Sequence, residues 1–166
     1  IDMSMKKLFR PKYLIPISLG LIFFVLAALG NDIIAAFGHF RGVRNIEPDQ
    51  VAALSEQDLL LIDVRDRDEY EVSHLKNAVL IDDLDLNNLN TERPVLLYCT
   101  IGFRSTELGA TLSERGFHNI YNLNGGIIRW KNENRTVYNS NHQPTDSVHV
   151  YSELFGFLLR EGQAVE

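Results

Sequence analysis

The chain has 166 residues, 45% apolar and 23% charged, with 16 basic against 22 acidic side chains and a formal net charge of −6. That acidity excludes a broad nucleic-acid-binding face, which needs clustered Lys and Arg. A single cysteine, Cys99, excludes an internal disulfide framework and any multi-cysteine zinc or iron–sulfur centre.

The first 30 residues differ from the rest. Tyr13 to Gly30 carries no charge, and Lys6, Lys7, Arg10 and Lys12 precede it. As a helix this run is about 27 Å long, close to the ~30 Å hydrocarbon core of a bilayer. Residues 1–30 therefore read as a basic N-terminus and a transmembrane anchor contacting the membrane through residues 13–30. A cleaved signal peptide is the alternative, because Ala28-Leu29-Gly30 ends in small residues. The excess of positive charge ahead of the run places the remainder outside the cytoplasm. The expectation is a single-pass protein of a bacterial-type inner membrane with its main domain on the periplasmic side, or a secreted protein after cleavage.

Residues 31–44 read as a connector, with Gly38 and Gly42 as breakers. From residue 45 to about 135, strand and helix patterns alternate. Pro48 to Leu54 suits a short helix with proline in its first turn. The apolar run Leu59–Val64 suits a strand buried on both faces. Arg67–Ser73 is charged and helix-like, Ala78–Ile81 forms a second strand, and leucines 84, 86 and 89 suggest a short helix over Asp82–Asn90. Pro94–Tyr98 is a third strand with its proline at the first position, where no ladder bond is lost. Ser105–Arg115 has Leu108 and Leu112 at helical spacing, with Gly116 as its stop. Asn119–Leu123 is a fourth strand, and a short helix follows Gly125-Gly126 through Trp130. This alternation predicts an α/β domain: a small parallel sheet with helices on both faces. Residues 136–166 form a tail, polar to about 149, in which Val150–Leu159 is expected to make a terminal helix packed on the domain.

In such a sheet, sites form at the carboxyl ends of the strands. Cys99 lies there, followed by Thr100-Ile101-Gly102-Phe103-Arg104 and a helix from about Ser105. Backbone N–H groups of a tight loop and of a helix N-terminus converge on one spot, and the helix dipole and Arg104 add positive charge. The same donors would cradle an anion, whether a thiolate, a persulfide or an oxyanion substrate. Gly102 gives the loop backbone angles that other residues resist. The scattered histidines, at 39, 74, 118, 142 and 149, build no metal site.

Three stretches resemble the rhodanese-like sulfurtransferases. Ile62-Asp63-Val64-Arg65, Glu69-Tyr70 and His74-Leu75-Lys76-Asn77-Ala78 resemble that family's first signature, D-V-R-x-x-x-E-[FY]-x-x-G-H-I-x-G-A. Cys99–Ser105 resembles its active-site loop, with Gly at the fourth position and Arg at the sixth. Leu123-Asn124-Gly125-Gly126-Ile127-Ile128-Arg129-Trp130 resembles its second signature, L-x-G-G-x-x-x-W. There are departures. Ser73 and Asn77 stand where the first signature has glycines, and Thr100 stands where many members carry Arg or Lys, leaving Arg104 as the one basic residue of the loop.

The resemblance implies sulfur transfer. Cys99 is the nucleophile and carries a covalent persulfide, with no other cofactor and no metal. Residues Thr100, Ile101, Gly102, Phe103, Arg104 and Ser105 form the loop that binds persulfide and substrate. The partners are a small sulfur donor, thiosulfate or a persulfide, and an external thiol or cyanide acceptor, which a protein could supply. Asp63 and Arg65 are read as a framework ion pair at the strand end in preference to groups touching substrate. Glu69 is a helix-surface or framework partner, and His74 bonds a turn. Phe103 is either an apolar rim or a partly packed loop residue. Two alternatives stand beside this: a non-catalytic, membrane-tethered module of the same fold, and a phosphatase of the related fold. The phosphatase loop has five residues between Cys and Arg, whereas four separate Cys99 from Arg104 here.

Overall fold

A computed structural model describes residues 42–55 and 58–166, the side chains of Ser55 and Leu154 excepted. The uncharged run 13–30 and most of the expected connector lie outside the described residues. Among the described residues, no helix is long and apolar enough to cross a membrane.

The chain runs through β1 (Arg44–Ile46), a 3-10 turn (Pro48–Gln50) leading into α1 (Val51–Ser55), β2 (Leu60–Asp63), α2 (Arg67–Val72), β3 (Val79–Leu80), β4 (Val95–Tyr98), α3 (Phe103–Glu114), β5 (Ile120–Leu123) and α4 (Gly126–Asn132). Five strands form one sheet in the order β1-β5-β4-β2-β3, and every neighbouring pair is parallel. The central strand β4 is buried along its whole length. Successive side chains of a strand point to opposite faces, so Leu96 and Tyr98 enter one core while Val95 and Leu97 enter the other. Val51 of α1 and Ile127 of α4 close the first face, with Tyr70 of α2 packed against it. Leu112 of α3 and Phe117 close the second. Each fully buried aliphatic side chain contributes about 1.5–3 kcal/mol, which explains why these short strands read as unbroken apolar runs.

Several expected elements differ. Strand β1 begins at Arg44, the last residue of the expected connector, and the sequence reading assigns it no element, because Arg44-Asn45-Ile46 is short and only Ile46 is buried. As an edge strand it needs no apolar run, since only β5 pairs with it. Over 82–90 there is no α-helix. A single 3-10 turn, Ile81–Asp83, is followed by turns, and Leu84, Leu86 and Leu89 still pack on the second core.

The tail is not one terminal helix. β6 (Val137–Tyr138) and β7 (Pro144–Thr145) form an antiparallel pair, and β8 (Ser147–His149) pairs in parallel with β9 (Gln163–Val165). Between β8 and β9 lies a single helical turn, α5 (Glu153–Gly156). The apolar run from Val150 fails as a helix at its second residue. Tyr151 adopts φ +67°, and its N–H donates to His149 Nδ1 at 3.1 Å. The left-handed conformation cannot continue a right-handed helix. Val137 and Val148 are fully buried in the first core, so the tail belongs to the same packed unit as the sheet.

Candidate functional site

Cys99 follows the last residue of β4 and is 1% exposed. The chain turns at once, and Gly102 caps α3 in the left-handed region at φ +98°. This turn swings the Gly102 N–H back to donate to Cys99 Sγ at 3.2 Å. Ser105, in the first turn of α3, places its hydroxyl 3.5 Å from the same sulfur. A backbone and a side-chain donor therefore converge on Sγ at the head of a twelve-residue helix, whose dipole adds partial positive charge. Phe103 is 50% exposed at the loop's tip. Ile101 is half-buried beside the buried Gly102.

The turn is held from three sides. Asn122 of β5 donates to the Gly102 carbonyl at 3.3 Å and to Thr106 Oγ1 at 3.0 Å, and Thr106 donates to the same carbonyl at 2.8 Å. The first amides of α4 hold the other end. Ile127 N–H donates to the Cys99 carbonyl at 2.9 Å and Ile128 N–H to the Thr100 carbonyl at 3.2 Å. This close approach requires Gly126, since a Cβ there would lie 2.3 Å from the Cys99 oxygen and 2.6 Å from the Thr100 oxygen. The Gly-Gly stretch thus serves the cysteine loop directly.

Arg104, which the sequence reading takes as positive charge at the loop, is paired with carboxylates. Its guanidinium lies against Glu69 in a two-pronged pair, Nη2 to Oε1 and Nη1 to Oε2, both at 2.8 Å. Asp66 Oδ2 lies 3.3 Å away. Thr100 Oγ1 accepts from Arg104 at 3.0 Å and donates to Glu69 Oε1 at 3.0 Å. Glu69 is 1% exposed. Burial pushes its carboxyl up, but the Arg104 and Asp66 hydrogen bonds and the charges of Arg104 and Arg65 outweigh it and hold it below the ordinary value. It is ionised at neutral pH. Burial disfavours the Arg104 cation, yet the Glu69 hydrogen bond and charge, with Cys99 and Asp66, raise its pKa. One cation thus faces two carboxylates, so the loop's arginine is largely neutralised.

Asp63 and Arg65 form a pair at the end of β2 with both side chains fully buried. Arg65 Nη2 donates to Asp63 Oδ2 at 2.6 Å and to the Ser73 carbonyl at 2.5 Å, and Nε donates to Asp63 Oδ1 at 2.9 Å. This pair braces the backbone between β2 and β3. Tyr98 accepts the Leu75 N–H at 3.1 Å, and burial with the Asp63 charge pushes its phenol well above the usual value. His74 Nδ1 lies 3.0 Å from the Tyr70 carbonyl and its ring stacks on Tyr70. Asn77 takes φ +62°, the conformation the signature's glycine would supply, which asparagine tolerates better than most residues. Ser73 is in extended backbone at φ −164° and needs no glycine.

Two contributors escape sequence reasoning. Asn122 is a polar residue inside an apolar strand run, which is itself a signal of a specific buried partner. Tyr151, 47 positions after Arg104, lays its ring over the Arg104 guanidinium at 4.9 Å; no local pattern announces that contact. Among the described residues, no cluster of His, Cys, Asp and Glu is arranged to hold a metal ion.

The family model for the rhodanese-like domain matches residues 47–133. The chain is 37% identical over 82 residues to the thiosulfate sulfurtransferase GlpE of Coxiella burnetii, covering 47% of this chain and 77% of that protein. The polysulfide-sulfur transferase homodimer of Wolinella succinogenes superposes with a TM-score of 0.53 at 28% identity, over 71% of this chain and 93% of that one. A rhodanese-related protein of Thermoplasma volcanium superposes at 0.51 with 26% identity, over 57% and 96%. With the cysteine loop at the end of the central strand, the paired signatures on either side of it and a match across half the sequence, the chain belongs to the rhodanese-like domain family.

Proposed function

We propose that the chain is a sulfurtransferase that moves sulfane sulfur through a persulfide on Cys99. The observation that carries this reading is the pair of donors aimed at Cys99 Sγ, the Gly102 N–H and the Ser105 hydroxyl. In the first step the Cys99 thiolate attacks the outer sulfur of a donor. A sulfur–sulfur bond forms on Cys99, the donor's own sulfur–sulfur bond breaks, and the electron pair leaves on sulfite or on a thiolate. The two donors stabilise charge on the cysteine sulfurs, as an oxyanion hole does for oxygen. In the second step a thiolate or cyanide attacks the outer sulfur of the persulfide and Cys99 leaves as thiolate. With one cysteine in the chain, that acceptor is external. The engagement of Arg104 by Glu69 and Asp66 speaks against the phosphatase alternative, whose arginine must face a bound phosphate.

The test is mass spectrometry of the intact protein after incubation with thiosulfate or an organic persulfide. A gain of one sulfur mapping to Cys99 supports the reading. Absence of that gain with every sulfane-sulfur donor overturns it and leaves a non-catalytic module.

The uncharged run 13–30, behind four basic residues, supports tethering of this domain to a bilayer with the catalytic side away from those charges. Protease added outside sealed bacterial inner-membrane spheroplasts should then cleave the domain. A domain protected there, or recovered in the soluble fraction without residues 13–30, overturns the tether or its orientation.

A further inference from the structure

The sulfur-transfer loop is completed by a residue outside the matched family region. Residues 47–133 contain the cysteine loop and both signatures, yet the ring that covers Arg104 comes from Tyr151. The placement is built. β8 is locked by its parallel ladder to β9, the Val150 N–H donates to the Val165 carbonyl at 3.0 Å, and the His149 side chain accepts the Tyr151 N–H, fixing the left-handed turn. A tyrosine at φ +67° is unfavourable by itself. Here the strand pairing on one side and the arginine stack on the other hold it. The ring is also 57% exposed, so it presents an apolar face to solvent at the edge of the loop. Phe103, 50% exposed, presents another from the residue next to Arg104. Among the described residues the exposed large hydrophobic side chains are Phe103, Tyr151 and Phe157, and the first two adjoin Arg104, Phe103 along the chain and Tyr151 through its ring.

The electrostatics point the same way. A dianion such as thiosulfate is best held by unpaired cations, but Arg104 is shared between Glu69 and Asp66, and Thr100 contributes a hydroxyl already used by Glu69. Around Arg104 the loop therefore presents aromatic surface, and its cation is already shared with carboxylates. Building on the sulfurtransferase reading above, we propose that Tyr151 is a specificity-determining residue that, with Phe103, selects donors in which the sulfane sulfur is carried by an organic group (R–S–SH) over the thiosulfate dianion. In that reaction Cys99 thiolate bonds to the terminal sulfur, the R–S to S bond breaks, and R–S− leaves with the electron pair and accepts a proton from solvent. No oxidant or reductant is consumed.

The test uses the full chain and its Tyr151→Ala and Tyr151→Phe variants, with glutathione persulfide and thiosulfate as donors and Cys99 persulfide formation as the readout. The wild type should show a higher kcat/KM for glutathione persulfide. In Tyr151→Ala the ratio of the two values should fall by about tenfold or more, the discrimination one apolar contact supplies, and the change should lie in KM for the organic donor. Tyr151→Phe, which keeps the ring, should retain the ratio. A wild type that prefers thiosulfate, or a Tyr151→Ala ratio equal to wild type, overturns the selectivity proposal while leaving sulfur transfer intact. Failure of both donors to load Cys99 overturns the sulfurtransferase reading itself, and the selectivity proposal falls with it. Far-UV circular dichroism and the urea midpoint of each variant separate lost selectivity from lost folding.

Discussion

Replacing Cys99 by serine is expected to abolish sulfur transfer, lowering kcat/KM for thiocyanate formation from thiosulfate and cyanide by at least roughly three orders of magnitude. The reason is the sulfur inventory. The chain has one cysteine, so no neighbouring thiol can take over the carrier role, and a serine hydroxyl neither ionises at neutral pH nor forms a sulfur–sulfur bond. The fold should survive the change. The replacement differs by one atom, and the Gly102 N–H and Ser105 hydroxyl that now face Sγ offer hydrogen-bonding partners to an oxygen at the same site. Its unfolding free energy from urea titration should stay within about 1 kcal/mol of wild type. Turnover in Cys99→Ser above the uncatalysed rate would show that sulfur moves by a route other than Cys99.

Replacing Asp63 by alanine should have the largest effect on stability, about 3–5 kcal/mol, a large part of the marginal stability of a domain this size. Arg65 is 1% exposed, and desolvation disfavours its cation. The charge and hydrogen bonds of Asp63 more than offset that and raise its pKa above the ordinary value. Without Asp63 the cation would keep the Ser73 carbonyl and little else, because Nη1 already lacks a hydrogen-bond partner. A buried charge stripped of its partner is more damaging than the loss of both partners. Asp63→Ala combined with Arg65→Met should therefore recover part of the stability lost in the single variant. Urea unfolding of both variants checks this, and a single variant within 1 kcal/mol of wild type would contradict it.

The parts of this structure legible in the sequence are those where one physical rule dominates. β2 and β4 stand out because a strand covered on both faces must be apolar throughout. The cysteine loop is legible because the left-handed turn demands Gly102 and the close helix approach demands Gly126. β1 is hidden because an edge strand with one buried residue carries no run to detect. The tail misleads for a different reason. Val150–Leu159 is apolar enough for a helix, but a left-handed Tyr151 and the β8–β9 pairing override that local preference. Arg104 is the instructive case at the site. Its presence and position are written in the loop, whereas its partners Glu69 and Asp66 lie 35 and 38 positions earlier in the chain. The effective charge of the site is thus a tertiary property.

The clamp of the Cys99 and Thr100 carbonyls by the Ile127 and Ile128 amides also bears on how such a centre can be moved or inherited. The seven residues from Cys99 to Ser105 hold every atom of the reactive loop, yet their shape is imposed by a helix that begins more than twenty residues later and by an asparagine on the neighbouring strand. Grafting the heptapeptide onto another strand–helix junction would transfer the chemistry's ingredients without their geometry. The portable unit is the junction of β4 and α3 together with Asn122 and the Gly-Gly entry to α4, so these stretches should be exchanged or redesigned as one block.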